Sequence, residues 1–154
     1  MKTDNKILSF IINEDNELLL LKGNSMDPQL KKSIWYVVTG SIENYDMTLE
    51  DAVAREIMEE TNLKAIKVTN LNWIFKYNSL GTICTEYVFI STVKRDKIIL
   101  NFENIDYEWL SIKDFIKKIY WFSDKETLIN VLEAYLDGKI YFKEINTIDF
   151  TLNS

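Results

Sequence analysis

The sequence contains no histidine and only one cysteine, Cys84. The absence of histidine excludes Ser-His and Cys-His catalysis and any histidine ligation of a metal. A single cysteine excludes an intrachain disulfide and a cysteine-cluster metal site, and we interpret Cys84 as an inert strand residue. Any chemistry must therefore use carboxylates, lysines, tyrosines, hydroxyls or a bound metal.

Long apolar runs are also lacking. The segments 17–21 (ELLLL) and 87–91 (YVFIS) are strand-sized, whereas a membrane-spanning helix needs about 20 apolar residues. Residues 1–16 carry acids and a turn where a signal peptide needs an uninterrupted apolar segment. These features predict a cytoplasmic protein with no membrane partner.

Positive charge is scarce, because 18 Lys and Arg residues face 24 Asp and Glu residues, for a net charge of -6. This balance argues against a nucleic-acid polymer as partner, since such a partner needs a basic surface. It does not exclude a small anionic ligand, because a divalent metal can bridge acids and phosphates.

The chain has a single proline, Pro28, and no linker, repeat or low-complexity segment. A length of 154 residues is sufficient for one core. We therefore expect one domain spanning residues 1–154.

The pattern of apolar, β-branched and turn residues predicts strands, with a few helices between and after them. The predicted strands are 6–12 and 17–23 (a hairpin), 34–40, 65–77, 82–94 (after a turn at Gly81), 97–100 and 106–110, with a β-like tail at 139–152. The predicted helices are 48–61, 111–120 and 123–136, the last opened by a Ser123–Glu126 capping box and followed by Gly138. This order predicts an α/β (α+β) fold, a mixed sheet with helices on both faces.

The segment 54–63 (AREIMEETNL) concentrates carboxylates in one helix. Thr48 and Asp51 are a plausible cap pair at its start, and Asn62 tolerates the left-handed conformation at its end. At about 100° per residue, Glu56 and Glu60 fall inside the apolar stripe and Glu59 falls on its edge. The stripe itself consists of Leu49, Ala52, Val53 and Ile57.

Two interpretations of these acids remain open. The end of the helix could overhang the core, so that the acids reach water. Alternatively, the acids surround a cation, because glutamates at this spacing share one face and repel unless a positive charge lies among them. Oxygen-only ligands suit Mg²⁺ or Mn²⁺, and Arg55 could supply part of the counter-charge.

The stretch 39–63 (TGSIENYDMTLEDAVAREIMEETNL) resembles the Nudix box, G-x5-E-x7-R-E-U-x-E-E-x-G-U, where U is a bulky apolar residue. Its second half is in register at Arg55, Glu56, Ile57, Glu59, Glu60 and Leu63. Asn62 stands where the family has glycine. Counting from Gly40 reaches Asp46 instead of glutamate, one residue too far from Arg55, which indicates a one-residue insertion near residues 45–47.

The resemblance implies the Nudix α/β/α sandwich. It implies that Glu56 and Glu60 are metal ligands, that Glu59 is a ligand or a water-mediated neighbour, and that the Gly40 carbonyl adds to the site. Arg55 would orient a box glutamate. The implied reaction is Mg²⁺- or Mn²⁺-assisted attack of water on a phosphorus of a nucleoside diphosphate linked to another group.

The segments 35–43 (WYVVTGSIE), 103–111 (ENIDYEWLS) and 120–135 are similar to the dihydroneopterin triphosphate pyrophosphatase branch of this family. The likeness extends over residues 5–136. It implies that Glu103 is a further metal ligand or the general base. It also implies a nucleoside or pterin triphosphate as substrate, cleaved to the monophosphate and pyrophosphate.

Several residues outside the box are candidate substrate contacts. Trp35 and Trp121 could stack on a purine or pterin ring, although both, like Trp73, are more typical of a core. Lys22 could contact phosphate, and Lys31 and Lys32 fit exposed loop lysines better. Glu86 could face the substrate cleft or solvent, and strand alternation slightly favours solvent.

Three rival functions remain. A housecleaning hydrolase for oxidised nucleoside triphosphates, ADP-ribose or dinucleoside polyphosphates would keep the same fold and box. A non-catalytic sensing module would be expected to have lost at least one of the box glutamates. A purely structural acid cluster predicts that Glu60→Gln stabilises the fold without changing any activity.

Overall fold

The computed structural model describes residues 2–24 and 34–138, together with the backbone of 145–152. Its strands are β1 (Lys2–Ile12), β2 (Leu18–Gly23), β3 (Trp35–Tyr36), β4 (Val38–Ser41), β5 (Ala65–Ser79), β6 (Thr82–Val93), β7 (Asn104–Leu110) and β8 (Ile145–Leu152). Its helices are α1 (Leu49–Thr61), α2 (Ile112–Lys118) and α3 (Lys125–Leu136).

The strands form one mixed sheet in the order β3-β2-β1-β6-β5-β8, with β4 paired to β1 and β7 paired to β2. β1 runs parallel to β6 from Lys2↔Thr82 to Ile12↔Thr92. β5 and β6 are antiparallel, and Gly81 adopts a φ of 85° in their turn. The predicted mixed sheet and the predicted hairpin turns are thereby confirmed, although β1 and β2 pair only at Ile12↔Leu18.

Helices cover both faces of the sheet, as predicted. Residues 7–12 of β1 are all buried, because successive side chains alternate between two cores on opposite faces of the sheet. Leu8 and Phe10 join the core under α2 and α3. Ile7 and Ile11 join the core under α1.

Two predicted strands differ in the structure. Residues 34–40 do not form one strand, because the chain changes partners there: β3 pairs with β2 and β4 pairs with β1. Residues 97–100 form no strand. Ile98 is buried in the core under α1, and the Ile99 N–H donates to the Thr61 carbonyl at 3.0 Å, so packing against a helix end satisfies this segment.

The helix ends follow local chemistry. Thr48 Oγ1 accepts from the Asp51 N–H at 3.1 Å, and Asn62 adopts a left-handed conformation with φ 64°, as predicted for α1. The predicted Ser123 cap of α3 is wrong. Asp124 caps that helix by accepting hydrogen bonds from the Glu126 and Thr127 N–H groups. A carboxylate can accept both with its two oxygens, whereas a serine hydroxyl has only one oxygen.

The apolar tail is partly described. β8 runs parallel to β5, from Trp73↔Ile145 to Ser79↔Leu152, as the β-like pattern predicted. Residues 139–144, and the loop lysines Lys31 and Lys32, lie outside the described residues. No helix in the described part of the chain is long and apolar enough to cross a membrane.

Candidate active site

The carboxylates of α1 take up the positions that helical periodicity predicted. Glu56 and Glu60 are buried, with 9% and 5% of their surface exposed, whereas the Glu59 side chain is about half exposed. An acid in the buried stripe of a helix must lose most of its hydration. Water therefore does not solvate two of these three carboxylates, and the overhanging-helix interpretation is wrong.

Gly40 lies directly beneath Glu56. β4 pairs Gly40 with Ile7, so both face the core under α1. A Cβ added at Gly40 would coincide with the Glu56 carboxylate. The site therefore requires glycine at this position for close approach of the backbone, not for an unusual φ.

Arg55 links the box helix to the loop before it. Its Nε and Nη2 donate to the two Asp46 oxygens at 3.0 and 2.8 Å, and Nη2 also donates to the Ser41 carbonyl at 3.1 Å. Its Nη1 donates to Glu56 at 2.9 Å and to Glu59 at 3.3 Å. A two-pronged Arg–carboxylate contact fixes both direction and distance, so Arg55 is held in one orientation against Glu56.

Asp46 thus has a defined place despite the inserted residue. The Arg55 hydrogen bonds hold the pKa of Asp46 below its usual value, and the Glu43 N–H adds a second donor at 2.8 Å. Asp46 in turn raises the pKa of Arg55. The inserted residue bulges outward, with Tyr45 and Met47 both well exposed, and this leaves the contact between Asp46 and Arg55 intact.

Glu60 has the fewest hydrogen bonds for its degree of burial among the three box glutamates of α1. Burial raises its pKa well above the ordinary value, and the charges of Glu103 and Glu56 raise it further. Asn104 Nδ2 donates to Glu60 Oε1 at 3.3 Å, while Oε2 is buried and has no hydrogen-bond partner among the described residues. The pKa of Glu56 is raised in the same way, chiefly by burial. A buried carboxylate in this condition is stabilised by a cation.

Glu103 reaches the same place from a different part of the chain. Its charge acts on both Glu56 and Glu60, so the loop before β7 brings it beside α1. The loop is fixed by hydrogen bonds at 2.8 Å from the Asn24 N–H to the Glu103 carbonyl and from Asn24 Nδ2 to the Phe102 carbonyl. Asn104, which sequence reasoning missed, is adjacent to Glu103, and that adjacency was the available signal.

The donor set fits a hard divalent cation, because it is made of carboxylate oxygens and one carboxylate oxygen is buried without a partner. Within residues 2–24 and 34–138, no three acidic side chains already surround a single ion position. Arg55 instead holds Glu56. This contact engages Oε1 of Glu56, so Arg55 can orient the carboxylate while its other oxygen faces a cation.

The candidate substrate residues lie on the opposite face of the sheet. Trp35 is partly buried, and Lys118 and Lys22 place Nζ over its ring at 4.0 and 5.9 Å from the centroid. Trp121 is 8% exposed and packs in the core under α2 and α3, 5.7 Å from Trp73 between ring centroids. Trp73 is fully buried, in agreement with its interpretation as core.

Glu86 does not face solvent, and that prediction is wrong. It is 3% exposed, and Tyr77 OH donates to its Oε2 at 2.7 Å. Along this part of β6 the side chains at 84, 86 and 88 are buried and those at 85 and 87 are partly exposed, so Glu86 lies on the buried face of the strand. Burial raises the pKa of Glu86.

Comparison with known proteins agrees with this architecture. In the search of solved structures, the MutT protein from Methanosarcina mazei Go1 matches with a TM-score of 0.67 and 21% identity, over 89% of this chain and 95% of that chain. The dihydroneopterin triphosphate pyrophosphohydrolase of E. coli matches with a TM-score of 0.64 and 20% identity, over 86% and 99% of the two chains. Likeness at this level of identity shows a shared fold.

Sequence comparison is more specific about family. The dihydroneopterin triphosphate diphosphatase of Haemophilus influenzae is 25% identical over 130 residues, which cover 75% of this chain and 79% of that protein. The model of the NUDIX domain matches residues 3–131. Since that match covers more than half of the chain and includes the Arg55-to-Glu60 helix, the protein belongs to the Nudix family of pyrophosphohydrolases, which generally use divalent metal ions.

Proposed function

We propose that this protein is a Mg²⁺-dependent pyrophosphohydrolase that cleaves a nucleoside or pterin triphosphate to the monophosphate and pyrophosphate, with Mn²⁺ as an alternative ion. The observation that carries the proposal is the buried, incompletely partnered carboxylate of Glu60 beside Glu56 on the Nudix-box helix. A structural acid cluster would have satisfied that oxygen within the protein.

Glu56 and Glu60, with the Gly40 carbonyl, are the residues proposed to hold the metal. Glu59, half exposed at the edge of the same face, is a further ligand or contacts the metal through water. When bound, the metal polarises the phosphate oxygens and lowers the pKa of the attacking water. The positive charge of the metal would relieve the repulsion among the buried acids.

Arg55 is proposed to position Glu56 through its Nη1. Asp46 in turn positions Arg55 by accepting from its Nη2. Glu103 is proposed as a metal ligand or as the base that accepts a proton from the attacking water, with Glu59 as the other candidate for that proton. Both carboxylates lie beside the buried pair and belong to different elements. A loop residue and a helix residue therefore flank the place where water is activated.

The proposed substrate class rests on the likeness to the Haemophilus influenzae and E. coli enzymes, whose names specify dihydroneopterin triphosphate. Lys22, Trp35 and Trp121 are the proposed substrate contacts; they lie on the face of the sheet opposite α1, so the substrate would have to reach both faces. Lys22 would contact phosphate and the tryptophans would border the ring.

A hydrolysis screen with Mg²⁺ tests the proposal, using dihydroneopterin triphosphate, dATP, 8-oxo-dGTP, ADP-ribose and diadenosine tetraphosphate. We expect pyrophosphate and a monophosphate, with preference for the pterin. Preference for one of the last three would replace the substrate class by a housecleaning one. Turnover of none of the five, combined with failure to bind Mn²⁺, would favour a non-catalytic module.

Glu60→Gln and Glu133→Gln form a matched pair for this screen. Both remove one negative charge, but Glu133 is exposed on α3, away from the box. We expect Glu60→Gln to lower turnover by orders of magnitude and Glu133→Gln to leave it unchanged. Equal activity of the two variants would show that the acid pair has no part in the reaction.

A further inference from the structure

Glu86 is a buried acid that the proposed metal chemistry does not use. Its Oε2 accepts from Tyr77 OH at 2.7 Å, and no described residue donates a hydrogen bond to its Oε1. No ion pair within 4 Å joins it to a described lysine or arginine. Lys6 is its register partner on β1, near enough to lower its pKa but not to pair with it. A single neutral hydroxyl offsets little of the desolvation of a carboxylate.

Flat aromatic side chains surround this acid. Tyr77 contacts it directly. The charge of Glu86 also reaches Tyr36, whose pKa is raised first by burial and then by that charge. Tyr36 also lies 6.2 Å from Trp121 between ring centroids. One acid among planar rings is the arrangement by which proteins hold a heterocycle and read its edge.

A second unsatisfied group lies in the same region. The indole N–H of Trp121 is buried and has no hydrogen-bond partner among the described residues. The Trp121 side chain is only 8% exposed and stacks on Phe122, with 4.8 Å between the ring centroids. Trp121 thus offers an unpartnered donor on the same face of the sheet as Glu86, and a polar planar ligand could accept from it.

The position of Glu86 relative to the Nudix-box helix fits one substrate that contacts both. Glu86 pairs with Lys6 on β1, and Lys6 pairs with Ser41 on β4, so Glu86 and Ser41 lie two strand spacings apart, about 10 Å. Gly40, next to Ser41, faces the opposite side against Glu56. In the described part of the sheet β4 pairs only with β1, so no second strand separates the two faces along its other edge.

We propose that Glu86 is the specificity residue that binds the ring of the substrate, by accepting hydrogen bonds from a ring N–H and an adjacent exocyclic amino group. A carboxylate has two oxygens with several acceptor positions, so it retains Tyr77 while pairing with two parallel donors. Pterin and guanine both present this donor pair, because each has a ring N–H between an amino group and an oxo group. Adenine presents an acceptor beside its amino group. The inference rests on the proposed function for the phosphate half of the substrate.

GMP and IMP are the decisive probes, because they differ only in the exocyclic 2-amino group. Their binding is measured by calorimetry in EDTA, so that neither metal nor hydrolysis enters the result. We expect the wild-type protein to bind GMP about tenfold or more tightly than IMP, since a two-pronged hydrogen-bonded contact discriminates by this much. A ratio near one in the wild-type protein would overturn the proposal.

Glu86→Gln should bring the GMP/IMP ratio to within about twofold of one, because an amide supplies one acceptor and one donor in place of two acceptors. Glu133→Gln, with the same loss of charge at an exposed site, should keep the wild-type ratio. Tyr77→Phe keeps the acid and should retain most of the preference. An unchanged ratio in Glu86→Gln would overturn the proposal, and so would a wild-type ratio near one, even if this variant does not fold.

Hydrolysis of GTP and ITP with Mg²⁺ separates this inference from the proposed function. Hydrolysis of both nucleotides without ring preference would retain the function and overturn the role of Glu86. A Glu86-dependent GMP/IMP ratio without hydrolysis of any triphosphate would support the ring site and overturn the proposed function.

Discussion

Arg55 and Asp46 form a two-pronged contact, with the guanidinium Nε and Nη2 donating to the two carboxylate oxygens at 3.0 and 2.8 Å. The same guanidinium donates to Glu56 at 2.9 Å. The loop before α1 thus fixes an arginine that in turn fixes a buried glutamate of the box, across a one-residue insertion.

Replacing Asp46 by asparagine is expected to lower turnover about tenfold or more while the protein stays folded, because it weakens one prong of a charge-assisted contact without emptying the site. Steady-state hydrolysis and thermal melting measure the two effects. Asp51→Asn, an exposed first-turn position of the same helix, is the matched control and should keep full turnover. Equal turnover in both variants would contradict a positioning role for Asp46.

Replacing Gly40 by alanine is expected to weaken Mn²⁺ binding about tenfold or more, because the new methyl would displace the Glu56 carboxylate. Calorimetric titration with Mn²⁺ measures this. Gly81→Ala is the control: it strains a turn with φ 85° but meets no atom within 4 Å, so it should lower stability and leave metal affinity unchanged. Unchanged affinity in Gly40→Ala would place the metal away from Glu56.

Replacing Glu60 by glutamine is expected to leave the metal-free protein at least as stable as the wild type, because a buried carboxylate repelled by Glu103 and Glu56 is removed. The stabilisation by Mg²⁺ should disappear; at 100 times the dissociation constant it amounts to about 2.7 kcal/mol in the wild type. Thermal melting in EDTA and in Mg²⁺ gives both values. A large loss of stability in EDTA would contradict repulsion among these acids as the dominant effect of the Glu60 charge on the metal-free protein.

The stability of the protein should depend on the protonation of Glu86. Burial raises its folded-state pKa, Asp4 adds to this, and Tyr77 and Lys6 oppose it. The stability that this group contributes is therefore fully present below its unfolded pKa, about 4.3, and is lost as pH rises through the folded value. Glu86→Gln should raise the melting temperature over wild type more at pH 8 than at pH 5.

The pH dependence is measured as the difference in melting temperature between variant and wild type across this range. Glu133→Gln provides the reference for a solvent-exposed glutamate, and its difference from wild type should be nearly constant. A difference for Glu86→Gln that does not grow with pH would mean that Glu86 is equally easy to ionise in the folded and unfolded chain.

The sequence by itself determined the box helix, because the features that define it are local. Thr48, Asp51 and Asn62 set its ends, and a period of 3.6 residues placed Glu56 and Glu60 on the buried face. The match of the box residues to the Nudix pattern depended on the same short stretch.

Only the tertiary structure decided where more distant residues meet. Alternation along β6 separates two faces but does not tell which of them is buried near Glu86, and this left Glu86 misplaced. The segment 97–100 is extended but packs on the end of α1 instead of joining the sheet. The resemblance of residues 103–111 pointed to Glu103, but the contacts that Asp46 and Asn104 make at the box helix depend on how the whole chain packs, which no local pattern of residues specifies.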